Sequence, residues 1–292
     1  MHALMERLLA ESPVVTDGAW GTSLQAAGLE TGACPDAWNL LQPDRVEAVA
    51  RSYVAAGSRI ILSNTFGSSR IALTRYGLQD QTVDINTAGA RLSKQAAGQQ
   101  SLVFCSIGST GKMVLMGEVP ETDVAAAFTE QAQALKEGGA DGLAIETMSD
   151  LVEARLAIVA AQATGLPVVA CMSFDSGPNQ LHTMMGVSVE QAAREFTALG
   201  VDAVGANCGQ GIAGMLAVCQ ELRRHTPLPI WIKGNAGTPR LEDGRAVYDM
   251  QPEDFAAHVP ELMGAGAQFI GGCCGTGPDF VSALVQRCAQ QT

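Results

Sequence analysis

The sequence predicts an α/β chain closed into a single (β/α)8 barrel. Three observations predict it. Apolar runs of strand length alternate with longer helical stretches along the whole chain. The runs number eight, at residues 14–17, 59–64, 102–107, 142–146, 167–173, 203–208, 229–233 and 269–274. No shift in composition marks a linker, so residues 1–292 read as one domain. An open doubly wound sheet is the alternative, because periodicity alone does not show closure.

Each element has a local reason. Four of the runs follow a helix that ends in glycine: Ala56-Gly57, Gly138-Gly139, Leu199-Gly200 and Ala265-Gly266. Glycine just past a helix takes the left-handed cap, and a strand buried on both faces needs few polar residues. Residues 122–137 and 188–198 read as helices, and Ser188 with Gln191 spells a capping box at the start of the second.

Composition excludes several classes. The 30 acidic and 18 basic residues leave a net charge of -12, which argues against nucleic acid as a partner. A hydrophobic content of 47% excludes a disordered acidic chain. No apolar run reaches the roughly 18 residues of a membrane span, and residues 1–12 hold no signal-peptide block. No membrane partner is expected, and the cytoplasm is the expected location.

The eight cysteines stand at positions 34, 105, 171, 208, 219, 273, 274 and 288. A reducing compartment leaves metal binding, catalysis or burial as their uses. No C-x-x-C pair exists, which excludes a zinc ribbon or a thioredoxin-like site. Chemistry in a parallel barrel sits where the strands end. Those positions hold Asp17, Asn64, Glu146, Ser173, Cys208, Asn235, Cys273 and Cys274. A lone Asp or Asn there is more often a hydrogen-bonded turn. The cysteines say more. Cys208 ends the sixth run and the Cys273-Cys274 pair ends the eighth. Three thiolates can hold zinc and leave a fourth tetrahedral position open. The bland alternative is three buried cysteines acting as small hydrophobes, which is the reading for Cys105, Cys171, Cys219 and Cys288. Cys34 falls in a loop, where exposure is expected.

Two motifs are set aside. Gly209 to Gly214 spells G-x-G-x-x-G, but the next strand ends in Lys233-Gly234-Asn235 and lacks the acidic residue a dinucleotide site wants. Ser109-Thr110-Gly111-Lys112 hints at a phosphate loop, but Ser106 replaces its first glycine and Met113 follows the lysine. The histidines are scattered, and His182 reads as a solvated loop residue.

Gly205-Ala206-Asn207-Cys208 followed by Gly271-Gly272-Cys273-Cys274-Gly275-Thr276 resembles the paired zinc signature of the homocysteine S-methyltransferase family. Asp17-Gly18-Ala19-Trp20-Gly21-Thr22 is similar to that family's first-strand motif. Asn64-Thr65-Phe66, Glu146-Thr147 and Lys233-Gly234-Asn235-Ala236-Gly237 fall where its other motifs fall. The resemblance runs from about residue 12 to 285 and is strongest to the homocysteine-binding module of cobalamin-dependent methionine synthase. It implies a barrel with Zn2+ at its C-terminal mouth.

The resemblance also implies roles. Cys208, Cys273 and Cys274 would be the zinc ligands and the catalytic residues. Homocysteine would place its thiol on the open position and leave as methionine. Asp17 and Glu146 would face the substrate ammonium, and the amides around Gly18, Ala19 and Trp20 its carboxylate. Asn64 is counted with the substrate-binding residues, and Asn235 is a candidate resting ligand of the zinc. This chain has Gly234 where the family often has proline, which suggests a looser loop around Asn235. It also has Gly277 in place of the family's second threonine.

The methyl donor stays open among three classes. A cationic sulfonium such as S-methylmethionine, or betaine, would favour an aromatic cage, for which Trp20, Trp38 and Phe66 are candidates. A methylated corrinoid (methylcobalamin) is favoured by the segments from Cys34 to Leu40 and Thr110 to Met113. No Asp-x-His-x-x-Gly corrinoid motif exists. The corrinoid would therefore come free or on a separate protein. A zinc- or thiol-binding barrel without transferase activity is the alternative of a different class.

Overall fold

The computed structural model describes residues 1–242 and 245–291, without the side chains of Leu241 and Arg245. Its strands are β1 (Val14–Val15), β2 (Ile60–Ile61), β3 (Leu102–Ile107), β4 (Gly142–Met148), β5 (Val168–Met172), β6 (Ala203–Gly211), β7 (Ile230–Asn235), β8 (Arg240–Glu242), β9 (Arg245–Val247) and β10 (Ala267–Gly272). Eight of them form one parallel sheet in the order β1-β10-β7-β6-β5-β4-β3-β2. A parallel bridge between Thr16 and Ile60 joins the two ends, so the sheet closes on itself. The expected barrel is therefore present, and the open-sheet alternative is not.

The glycine refrain works as its chemistry requires. Gly57, Gly139, Gly200 and Gly266 all have positive φ, between 73° and 103°. The expected helix at 122–137 is Glu121–Glu137. Glu121 and Asp123 lie in its first turn and Lys136 in its last, each matched to the helix dipole. Val124, Ala127, Phe128, Gln131 and Leu135 give it a buried stripe. The capping box of Ser188 and Gln191 opens Val189–Leu199.

Two apolar layers result. The larger lies between the strands and the surrounding helices. The smaller fills the barrel, where Trp231 stacks between Phe104 (6.0 Å) and Phe269 (5.2 Å). Met5 and Leu8, from the helix Ala3–Leu9, join this inner cluster and are buried. The barrel is a packed core, and its free space lies above the rings.

Strand side chains alternate with a period of two. Two residues beyond Trp231 stands Lys233, two beyond Phe104 stands Ser106, and two beyond Ala144 stands Glu146. The inward face thus changes from apolar to polar within one step.

Three expectations need correction. β6 continues past Cys208 to Gly211, through an irregularity between Asn207 and Gly211 in its register with β7. The hairpin of β8 and β9 was not foreseen. Cys34 is buried, not exposed. It packs with Ala37, Leu73 and Ile85, and burial pushes its thiol up to about 11.

Truncating Trp231 to alanine should cost about 3–5 kcal/mol, because the ring stack cannot refill so large a space. Urea unfolding checks this. A loss below about 1 kcal/mol would mean the stack is not the keystone of the inner layer.

Candidate active site

The sulfur site is built by backbone geometry first. Cys208 has φ +59° and Thr147 φ +57°, both in the left-handed region. Non-glycine residues hold such angles only when their surroundings impose them. Asn207 does part of this. Its Oδ1 accepts from Thr147 N–H at 2.7 Å, and its Nδ2 donates to Thr147 Oγ1 at 2.7 Å. The irregularity in β6 follows at once and redirects Cys208.

Cys208, Cys273 and Cys274 lie with their sulfurs within 4.8 Å of one another, and the Cys208 and Cys274 sulfurs are 3.9 Å apart. A tetrahedral zinc with bonds of roughly 2.3 Å spaces its sulfurs roughly 3.8 Å apart, so the three residues fit that ion. All three are partly exposed, whereas the other five cysteines are buried. The neighbouring Cys273 and Cys274 sulfurs hold the Cys208 thiol well below its ordinary range, against the opposing effect of burial.

Gly275 follows the pair with φ +83°, and the Tyr248 ring lies where a Cβ would stand. The Tyr248 ring thus packs on the backbone that follows Cys274. The segment after the hairpin thereby covers one side of the cluster.

Below the sulfurs lies a buried charge group. Lys233, 2% exposed, pairs through Nζ with Asp17 Oδ1 at 2.5 Å. The other Asp17 oxygen accepts from Leu62 N–H (2.7 Å) and Trp20 Nε1–H (2.9 Å). Burial disfavours the Lys233 charge, but Asp17 and Glu146 together outweigh it and raise its pKa. Glu146 accepts from Ser106 Oγ, and Asn207 Nδ2 lies 3.4 Å from it. Burial raises its pKa, opposed by the Lys233 charge.

A cavity of about 340 Å3 joins these parts. Gly18, Ala19, Trp20, Asn64, Glu146, Lys233 and the three cysteines line it, with Phe66 at its edge. Asp17 is not brought to this surface. Expected to face a ligand, it is fully buried with both oxygens engaged. Ala19 N–H is taken by Thr276 O at 3.0 Å. The helix Trp20–Ala26 starts there, and its first-turn residues Trp20, Gly21 and Thr22 line the cavity. Asn64 lines the wall, but its Nδ2 is spent on Pro35 O (2.8 Å) and Asn39 Oδ1 (3.0 Å). Trp38 stays outside, under the Arg45 guanidinium at 5.3 Å. His182 also stays outside. Its main chain bridges Ser176 and Ser188.

Asn235 stands beside the sulfur cluster, where its Oδ1 accepts from Cys274 N–H at 3.1 Å. Its loop is not loose. A Cβ at position 234 would meet the Ile212 backbone at 2.7 Å, so Gly234 admits the extended end of β6. Sequence reasoning named no role for Asn207, Ser106, Lys233 or Tyr248. For Ser106 and Lys233 the signal was available, as the parity of β3 and β7.

The fold and site define a thiolate-bearing (β/α)8 barrel. The family model described as homocysteine S-methyltransferase matches residues 14–288, so the chain belongs to that family. It is similar to the methionine synthases of Mycobacterium leprae (strain TN) and Mycobacterium tuberculosis (strain ATCC 25618 / H37Rv). Identities are 31% and 30% over 97% of this chain. The chain spans about a quarter (25%) of the length of those relatives. The fold is similar to that of the homocysteine methyltransferase MmuM from Escherichia coli. Its metallated form gives a TM-score of 0.81 at 23% identity, covering 97% of this chain and 99% of that one. Its oxidised form gives 0.82 at 22%, covering 98% and 100%. No helix among the described residues is long and apolar enough to cross a membrane.

Two predictions follow from the charges. Lys233→Met should cost about 3–5 kcal/mol, because it strands a buried carboxylate, and adding Asp17→Asn should restore much of it. Urea melts of the single and double variants check this. Additive losses would show that the two groups do not act as a pair.

Asp36, buried beside the cavity, has its carboxyl pushed up to about 6 by burial, against the Gly67 N–H it accepts. A raised folded pKa means the folded state holds the proton more tightly. Its ionisation therefore removes about 3 kcal/mol of stability as pH rises from about 4 to about 6. Asp36→Asn keeps the acceptor for Gly67 and should be the more stable protein at pH 7. Melts from pH 4 to 7 should show the difference growing with pH. A constant difference would remove Asp36 as the cause.

Proposed function

We propose that the chain is a zinc-dependent enzyme that moves a methyl group onto the thiol of homocysteine, giving methionine. One observation carries the reading. Three partly exposed sulfurs stand within 4.8 Å of one another, over a carboxylate and beside a helix start. Cys208, Cys273 and Cys274 would hold the zinc, which keeps a bound thiol deprotonated at neutral pH.

The chain's own residues divide the rest. Lys233 is paired with Asp17, which leaves Glu146 in the cavity wall as a carboxylate without a salt bridge among the described residues. Glu146 would take the substrate ammonium as a charge-assisted hydrogen bond. The first-turn amides of the helix Trp20–Ala26 would take the carboxylate. Asn235 and Tyr248 position Cys274, and Asn207 sets the turn that aims Cys208. Asn64 fixes the loop at Pro35 and so shapes the wall.

The donor we propose is a methylated corrinoid, supplied in trans, free or by a separate protein. The similarity to two methionine synthases supports it. Phe66 and Trp20 on the cavity wall favour a second reading, a cationic sulfonium or betaine donor.

Zinc-loaded protein incubated with homocysteine and methylcobalamin should form methionine. Turnover with S-methylmethionine alone would sink the corrinoid assignment. Cys273→Ser should retain at least about tenfold less zinc under a chelator and lose transfer. A variant that keeps the full metal content would break the assigned ligand set.

A further inference from the structure

A second cavity, of about 630 Å3, adjoins the sulfur cavity across Pro35, Asp36 and Phe66. Nothing above uses it. Its walls carry Arg75, Lys112 and the segment from Ser109 to Gly111. The segment dismissed as a nucleotide phosphate loop is therefore the wall of a cavity. It is not such a loop, since only the short 3-10 turn Val114–Met116 follows it. It is nonetheless fixed. Glu153 accepts from Thr110 N–H at 2.7 Å and from Thr110 Oγ1 at 2.5 Å.

The cations there are unusual for this chain. With 30 acidic and 18 basic residues, a cation finds a carboxylate easily. Among the described residues, nine Lys and Arg side chains make such pairs. Arg45, Lys136 and Arg223 instead donate to main-chain carbonyls, and Arg287 to Gln290. The described remainder is Arg7, Arg75, Arg91 and Lys112, and two of these four face one cavity.

Arg75 is also oriented. Its guanidinium lies 4.8 Å over the Tyr76 ring, and Nη2 donates to the Tyr76 hydroxyl at 2.6 Å. Its other N–H groups stay available. Asp36 is the one carboxylate in the wall, 4% exposed and held by Gly67 N–H at 3.0 Å.

We propose that this cavity is an oxyanion subsite, in which Arg75 and Lys112 hold a phosphate group of the methyl donor. A guanidinium fork and an ammonium point charge are a natural pair for phosphate. Phe66 lies between the two cavities, its ring packed on Gly108. One ligand can therefore reach the sulfurs and rest its anion behind Phe66. The donor's identity rests on the corrinoid reading above, since a corrinoid with its nucleotide carries a phosphodiester. The cavity would then bind that part of the donor directly.

The test uses zinc-loaded protein and the double variant Arg75→Gln, Lys112→Gln, matched by urea midpoint. Inorganic phosphate, followed by its 31P line width, should broaden saturably with wild type and not with the variant. In the transfer assay, KM for methylcobalamin should rise about tenfold in the variant. KM for homocysteine, and for methylcobinamide without the phosphodiester, should stay put. Saturable phosphate binding with no transfer from any corrinoid supports the subsite and removes the corrinoid reading. Equal KM values for the two corrinoids in wild type overturn the donor role and assign the site to free phosphate. Phosphate binding that is absent from wild type, or equal in both proteins, overturns the proposal.

Discussion

The buried ammonium of Lys233 is the constraint on which the site depends. A charge so far from water is tolerated only when paired, and Asp17 supplies the pair. That pairing fixes β1 against β7, whose direct neighbour in the sheet is β10. It also uses up Asp17. Glu146 and Asp36 are then the carboxylates that line the cavity. A selectivity for amino-acid ligands would thus rest on a charge balance set one layer below the sulfurs.

The barrel makes this layering cheap. On β3, β4 and β7 the side chain presented to the axis changes from apolar to polar after two residues. Trp231 below Lys233 and Phe104 below Ser106 are the same device on different strands. The rings exclude water beneath, which strengthens every charge interaction above them. The sulfurs need more than alternation, because two come from adjacent residues. Gly275 supplies the turn after that pair, and the strained turn at Cys208 brings the third sulfur across.

Most of the fold was legible because it is written in local chemistry. Glycine caps, apolar runs and the capping box at Ser188 each report on a few neighbouring residues. The convergence of Cys208, Cys273 and Cys274 was legible too, since all three stand at strand ends of one barrel. Contacts between distant strands were not. That Asp17 would meet Lys233, 216 positions away, follows from closure and register, which periodicity does not encode. The surroundings of Asn235 and Gly234 were not legible for the same reason. Their partners, Cys274 and Ile212, come from other segments. The hairpin of β8 and β9 is two strands of three residues each, too short for a periodic pattern to mark it in the sequence.

The acidic excess of the chain gains meaning from where its cations go. Among the described residues, eight serve as partners for carboxylates nearer the surface, where exposed pairs contribute little. Lys233 is spent inside, where it sets the charge of the catalytic layer. Arg75 and Lys112 are held back at a second cavity that shares a wall with the first. A chain of net charge -12 repels an anionic ligand at long range, so an anion can be held only where cations are grouped and unpaired. That grouping lies beside the sulfur site, across Pro35, Asp36 and Phe66. A phosphate-bearing donor and an amino-acid acceptor could then meet across Phe66 without competing for the same charges.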